Sequence, residues 1–347
     1  MDLICQYLGE RAIGGSVQRA VATRVANGPV ADVIEVITED DPAPRPGWTV
    51  VEVKAAALNR HDLWAIRDGG VSPDRFPLGL GSDVAGVTAE GREVLVHALV
   101  APNASGAAGE LLDPGRVMLA EATTGACATR VAVPERNLVD KPAELSFTAA
   151  ACLPTAWLTA YSMLYRKAQI KPGQTVLVQG AAGGVSTAAI ALARAGGARV
   201  WVAGRSRARL AAAVHIGADD IFDAGARLPE RVDVVIETVG SATWAHSVRA
   251  VRPGGVVVVA GATTGATVEL DLGRIFLQHV SILGSTMGTL DDLRLVARFC
   301  ALHGVTPPVD AVYPLAAARD AVARLESGDA IGKVLVDPSA GSGKWPK

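Results

Sequence analysis

The chain has 347 residues, half of them hydrophobic and only 4% aromatic, with a formal net charge of −2. That length points to two domains rather than one, with a core mostly of Ala, Val and Leu. A near-neutral charge without basic runs argues against nucleic acid or an anionic membrane as partner, and no apolar run reaches transmembrane length.

Cys5, Cys127, Cys152 and Cys300 are scattered with no CxxC pair, which fits a reduced, cytoplasmic protein rather than a disulfide framework. Met1–Val17 lacks the pattern of a signal peptide and reads as an extension, either an arm over a partner subunit or a loosely held terminus. Arg19–Leu58 is β-rich, with short apolar runs at 20–22, 32–37 and 49–54 punctuated by Pro42, Pro44, Pro46 and Gly47. Segments 86–96 and 128–134 continue as short strands, so this half reads as an irregular, mostly antiparallel β domain. Asn103–Gly125 reads as a loop. Pro142–Lys167 reads as helical, with Pro154 expected to break or kink it.

From Thr175 the pattern alternates between strand and helix. Strands are expected at 175–178, 199–203, 220–222, 232–237, 256–260 and 281–283, with helices such as 207–214 and 242–251 between most of them. That order predicts an α/β fold with a doubly wound parallel sheet. Helices at 290–303 and 315–327 and a strand at 333–336 follow, and Ser339–Lys347 reads as a polar tail.

The stretch Thr175–Ser206 carries the first chemistry. A β-branched strand runs straight into Gly180-Ala181-Ala182-Gly183-Gly184 and a helix. A glycine turn in that context lets backbone N–H groups approach a pyrophosphate, and the positive end of the helix dipole favours the anion. Gly180 permits the tight turn and Gly183 the close approach. Ser186 stands where the motif has a third glycine. Ala182, Gly184 and Val185 complete the cradle. The second strand ends in Gly204-Arg205-Ser206, where sites for NAD place an acid against the ribose 2′-hydroxyl. An arginine instead pairs with a 2′-phosphate, so Arg205 and Ser206 point to NADP(H). Val239, Gly261, Ala262, Thr263, Ser285 and Met287, on small polar loops after later strands, are expected to line the same crevice.

Several further motifs carry a family resemblance: Ala57-Leu58-Asn59-Arg60-His61-Asp62-Leu63-Trp64, Leu80-Gly81-Ser82-Asp83-Val84-Ala85-Gly86, Cys152–Tyr161, the glycine turn and Gly261–Gly288. Together they resemble the medium-chain dehydrogenase/reductase superfamily, in its quinone-oxidoreductase-like branch, which also holds zinc-type alcohol dehydrogenase-like proteins. The resemblance implies a GroES-like catalytic domain from residues 1–149 and 287–347, a Rossmann domain over 150–286, an active site between them, and a homodimer acting on a small molecule. Zinc members hold their catalytic metal with a cysteine, a His-Glu pair and a further cysteine. Here the first position reads Asn59, the pair reads Ser82-Asp83, and the third falls near Ala151 and Cys152. Cys127 is the only cysteine between Val96 and Val131, so a structural zinc lobe is not expected. The chain therefore reads as zinc-free.

Without a Lewis acid, reduction of an activated acceptor is easier than alcohol oxidation. The leading expectation is an NADPH-dependent reductase of quinones or α,β-unsaturated carbonyls. The alternatives are an alcohol or aldehyde dehydrogenase and a non-catalytic NADPH-binding protein. Candidate catalytic residues are Asn59 as an amide donor to an oxyanion and His61 as a proton source. Trp64 stands where quinone reductases of the family commonly have tyrosine, and Thr155 resembles the position that touches the nicotinamide.

Overall fold

The computed structural model describes residues 15–42, 45–67, 70–104, 109–122 and 125–339. The first part contains β1 (Ser16–Ala22), β2 (Ile34–Asp40), β3 (Trp48–Ala57), α1 (Arg60–Ile66), β4 (Leu78–Gly79), β5 (Asp83–Thr88), β6 (Glu93–Val96), β7 (Leu99–Val100), α2 (Gly109–Leu112), β8 (Val117–Met118), α3 (Leu119–Ala122), β9 (Arg130–Pro134) and β10 (Leu138–Asp140). Then come α4 (Phe147–Ala151), α5 (Leu158–Tyr161), β11 (Thr175–Gln179), α6 (Gly184–Ala195), β12 (Arg199–Gly204), α7 (Arg207–Ile216), β13 (Asp220–Asp223), β14 (Val232–Glu237), α8 (Ser241–Ala250), β15 (Val251–Val259), α9 (Leu272–Gln278) and β16 (Ser281–Gly284). The chain ends in α10 (Leu290–His303), β17 (Val309–Pro314), α11 (Ala318–Glu326) and β18 (Lys333–Asp337).

The alternation beginning at Thr175 folds as a six-stranded parallel sheet, ordered β13-β12-β11-β14-β15-β16. Every residue of β11 is buried, as its apolar centre, residues 176–178, requires for a strand covered on both faces. The strand order reverses between β11 and β14, and a crevice opens beyond the carboxyl ends of strands at such a switch. The other large sheet, β10-β6-β5-β3-β18-β17 with β9 on β3, is antiparallel except where β17 meets β18. Its last two strands come from the chain's end: β18 lies antiparallel to β3, with Leu335 opposite Ala57. A β unit formed by both chain ends thus flanks a doubly wound unit. One core cluster runs through both, from Ala57, Ala85 and Leu95 to Trp157, Val178 and Leu192.

Several local expectations needed correction. Ser16 and Val17 are not part of an extension but open β1, which pairs along its whole length with β2. Residues 1–14 lie outside the described residues, as does part of the polar tail. The 103–125 stretch is not plain loop: α2, β8 and α3 lie within it, and β8 pairs with β7. Pro154 does not break its helix. From Phe147 to Lys167 the chain stays helical, with π-helical turns at Leu153–Trp157 and Ser162–Lys167. A proline cannot donate to the preceding turn, and here the helix continues with a wider bond, Leu158 N–H to Leu153 O. α1, α9 and β17 were not anticipated, because each is short or weakly periodic.

Candidate functional site

The glycine turn lies at the reversal point of the parallel sheet. Gly180 has φ +85°, a conformation that favours glycine. Gly183 is different. Its backbone is extended (φ −65°, ψ 157°), and a Cβ built on it would meet no atom within 4 Å. The protein alone gives no reason for glycine there; a ligand pressed onto the turn does. Gly183 is the N-cap of α6, whose first N–H groups have no partner within the helix and no side-chain cap. Ser186, the departure from the glycine motif, is buried with its hydroxyl 3.4 Å from Thr238 Oγ1, filling the space beneath the turn.

At the end of β12, Arg205 is exposed and has no ion-pair or hydrogen-bond partner among the described residues. Its neighbours are committed: Arg207 pairs with Asp223, and Arg209 bonds Asp329 and the Gly328 carbonyl. Ser206 caps α7 by accepting from Arg209 N–H. The wall beyond β14 and β15 is held from below. Fully buried Glu237 accepts from the N–H groups of Val239 and Gly240 and from the hydroxyls of Thr243 and Ser247. The Val239 carbonyl accepts from Thr263 and Thr264, and Gly261 lies so close to Thr238 that a Cβ would fall 2.7 Å from its carbonyl oxygen. Met287 is buried with φ +52°. Ser285 Oγ is also buried and finds no hydrogen-bond partner among the described residues. An open cradle, an uncommitted arginine and an orphaned hydroxyl on one crevice fit a bound dinucleotide. Ala182, Gly184 and Val185 lie along the turn and at the start of α6.

The facing unit contributes a compact polar cluster. Asn59 is the N-cap of α1, fixed because Asp62 Oδ2 accepts from its N–H at 2.7 Å while Asp62 Oδ1 accepts from Gly81 N–H. Burial pushes the Asp62 carboxyl above its ordinary pKa. Asp83, at the start of β5, is fully buried. One of its oxygens accepts from Asn59 Nδ2 at 2.9 Å and the other from the Thr155 hydroxyl. The third group to converge with Asn59 and Asp83 is therefore Thr155, not Ala151 or Cys152, which point into the core. Cys152 Sγ donates to the Thr148 carbonyl, and burial pushes its thiol up to about 12. Ser82 also turns away and accepts from Ala120 N–H. A residue that sequence reading passed over completes the cluster: Lys333, 2% exposed, donates to Leu58 O, Asn59 Oδ1 and Asp83 Oδ2 at 2.8, 2.5 and 3.1 Å.

His61, two residues after Asn59, does not join this cluster. Its Nε2 lies 2.9 Å from Glu121 Oε1, and its ring lies against that of Trp64, which is 56% exposed. Burial works against the imidazolium. The bond to Glu121 and the charges of Asp62 and Glu121 outweigh it, and the His61 pKa lies above its ordinary 6.5. Arg67 pairs with Glu326, a structural contact.

Comparison with known proteins decides the family. Residues 45–143 match the alcohol dehydrogenase GroES-like domain, and residues 184–301 match the zinc-binding dehydrogenase domain. A zinc-type alcohol dehydrogenase-like protein of Schizosaccharomyces pombe is 31% identical over 315 residues, 84% of this chain and 91% of that protein. The chain belongs to the medium-chain dehydrogenase/reductase superfamily. It is an oxidoreductase of that superfamily. It is also 28% identical to an acryloyl-coenzyme A reductase of Metallosphaera sedula, over 87% of this chain and 96% of that one. Among solved structures, an NAD-dependent alcohol dehydrogenase superposes with TM-score 0.84 at 34% identity, covering 93% of this chain and 100% of that one. A 2-octenoyl-CoA carboxylase reductase in complex with NADP and 2-octenoyl-CoA superposes with TM-score 0.84 at 25% identity, covering 95% and 90%.

The superfamily's zinc was tested against the residues present. Tetrahedral zinc takes thiolate, imidazole or carboxylate ligands converging on one point. Here the cluster offers an amide, a hydroxyl and one carboxylate, and the Lys333 ammonium already donates to two of the three. Among the described residues no three His, Cys, Asp or Glu side chains gather as a metal site. His61 and Asp83, which could serve as zinc ligands only in a stretched arrangement, are each committed elsewhere, to Glu121 and Lys333. This donor set does not fit zinc.

Proposed function

We propose that this oxidoreductase is a zinc-independent, NADPH-dependent reductase of quinones or α,β-unsaturated carbonyl compounds. The observation that carries the reading is the Asn59–Asp83–Thr155–Lys333 cluster, which gathers hydrogen-bonding groups rather than metal ligands. When bound, NADPH supplies a hydride. Arg205, uncommitted at the end of β12, supports the 2′-phosphate form, and the octenoyl-CoA reductase structure is itself a complex with NADP.

The chain's own groups divide the remaining work. Asn59 Nδ2 spends one hydrogen on Asp83 and has a second available for the oxyanion that develops as a carbonyl or quinone oxygen gains charge. Thr155 donates its hydroxyl hydrogen bond to Asp83, so its lone pairs are left to accept from an amide such as that of the nicotinamide. His61, whose imidazolium form Glu121 favours, is the proton source, and exposed Trp64 offers a flat apolar surface beside it. The acryloyl- and octenoyl-CoA reductases among its relatives act on conjugated thioesters, which adds enoyl thioesters to the acceptors to be tried.

The test is NADPH oxidation across quinones, enones, enals, enoyl thioesters and aldehydes, with metal content measured on the same sample. Turnover with conjugated acceptors in metal-free protein is the expected result. No turnover with any of them, or one tightly held zinc per chain with alcohol oxidation, overturns the reading.

We propose further that the chain forms a homodimer through the β16 end of the parallel sheet. Among the described residues β16 is paired on one side only, and Leu272, Phe276 and Leu277 of neighbouring α9 are each more than 65% exposed. Light scattering should give twice the chain mass for the wild type and a smaller value for Phe276→Glu.

A further inference from the structure

Lys333 is the least expected member of the cluster, and the way it is held there has a chemical meaning. Its three N–H bonds are all used, on Leu58 O, Asn59 Oδ1 and Asp83 Oδ2. A carboxamide can be turned end for end, so that either its oxygen or its NH2 group lies toward a given neighbour. At Asn59 both ends are dictated. The ammonium faces the oxygen and the carboxylate faces the nitrogen, and the flipped amide would set donor against donor and acceptor against acceptor. We infer that Lys333 is the positioning residue of this site, fixing the Asn59 amide so that an N–H, never the carbonyl oxygen, is offered to the substrate.

This inference rests on the reductase reading for its chemical consequence. An N–H aimed at the crevice favours substrates whose reacting oxygen gains negative charge. A carbonyl oxygen there would instead favour a hydroxyl donor.

Lys333 is placed by the nucleotide-binding unit as much as by its own strand. Gly332 N–H donates to Ala182 O in the glycine turn at 2.8 Å. Gly332 has φ +90°, and a Cβ on it would fall 2.2 Å from Pro308 O. The Lys333 stem lies over Gly184, where a Cβ would come 3.1 Å from Lys333 Cδ. The turn's contact with this segment is through the Gly332 backbone, so removing the Lys333 ammonium leaves it intact. Cofactor binding and amide positioning are therefore separable by experiment.

The test uses Lys333→Met, which keeps the apolar stem, and Asp83→Asn/Lys333→Met, which also removes the stranded carboxylate should the single variant fail to fold. Lys333→Met should lower kcat about tenfold while the NADPH dissociation constant stays within twofold; the double variant is read by Asn59 amide exchange alone, because Asp83 also holds Thr155. Lys333→Met made in Asn59→Ala should cost little more, because the lysine acts through the amide. An activity-independent readout is available, since the chain has only four asparagines, Asn27, Asn59, Asn103 and Asn137. In asparagine-labelled protein the side-chain amide of Asn59, assigned from its loss in Asn59→Ala, should exchange with solvent faster once Lys333 is gone. The inference is overturned if kcat and cofactor affinity fall together, if the Lys333 and Asn59 effects multiply independently, or if Asn59 amide exchange is unchanged. Should the wild type reduce no acceptor, the reductase reading falls, and the exchange measurement still decides the positioning.

Discussion

Arg205→Ala isolates the choice of nucleotide. Arg205 is exposed in the free protein and shares its charge with no described partner, so its removal breaks no internal contact and the fold should be unaffected. Arg207 and Arg209 are engaged with Asp223 and with Asp329 and Gly328, so neither is free to take its place. A hydrogen bond to a charged group contributes about 1.5–3 kcal/mol. Exposure in the free protein favours the lower half of that range, and at about 1.4 kcal/mol per tenfold this is a loss of roughly 10- to 40-fold in NADPH affinity. NADH carries a hydroxyl where NADPH carries the phosphate and should bind the variant as it binds the wild type. Fluorescence titration of both nucleotides against both proteins reads the ratio directly. Equal weakening of both, or unchanged NADPH affinity, refutes the assignment of the 2′-phosphate to Arg205.

Gly183→Ala should leave the unfolding temperature of the free protein nearly unchanged, because the added methyl meets no protein atom, yet weaken nucleotide binding at least tenfold by calorimetry. Glu237→Ala strands four donors, three of them buried, each buried one costing about 1–3 kcal/mol when left unpaired, and should destabilise the protein by at least about 3 kcal/mol in urea unfolding. The His61 pKa is raised in the folded protein, so its pairing with Glu121 contributes stability fully below the ordinary value of 6.5 and loses it as pH rises through the raised value. Glu121→Gln should lower the His61 pKa in an NMR titration, and the stability gap from wild type, under about 1 kcal/mol, should close as pH rises.

Much of the nucleotide half was legible before any coordinates because its signals are local. A β-branched run, a glycine turn and an apolar-striped helix follow one another within Thr175–Ala195, and each is dictated by backbone conformation and short-range periodicity. Helix 290–303 was equally legible, with Thr289 as its cap and Gly304 as its stop. Asn59, Asp83 and Thr155 were marked by motif, and the structure brings Asn59 and Thr155 within hydrogen-bonding distance of Asp83. What had been misplaced was the register of the third position. The π-helical turn around Pro154, not a regular α-helix, carries Thr155 to Asp83, and bond spans of that kind leave no periodic trace.

By itself, the sequence determined the fold class and the absence of cysteine and histidine at the zinc positions, and it pointed to the glycine turn and Arg205 as the nucleotide site. Only the tertiary structure decided which charges meet. Lys333 lies 274 residues from Asn59 and reads in sequence as the ordinary first residue of a strand; it becomes the cation of the site because β18 lies against β3 and Gly332 is bonded to the glycine turn. The pairing of His61 with Glu121 and the four donors gathered on Glu237 have the same origin. A buried charge is tolerated only beside its partner, and a partner distant in sequence is chosen by the packing of sheets and turns, which short-range patterns do not encode.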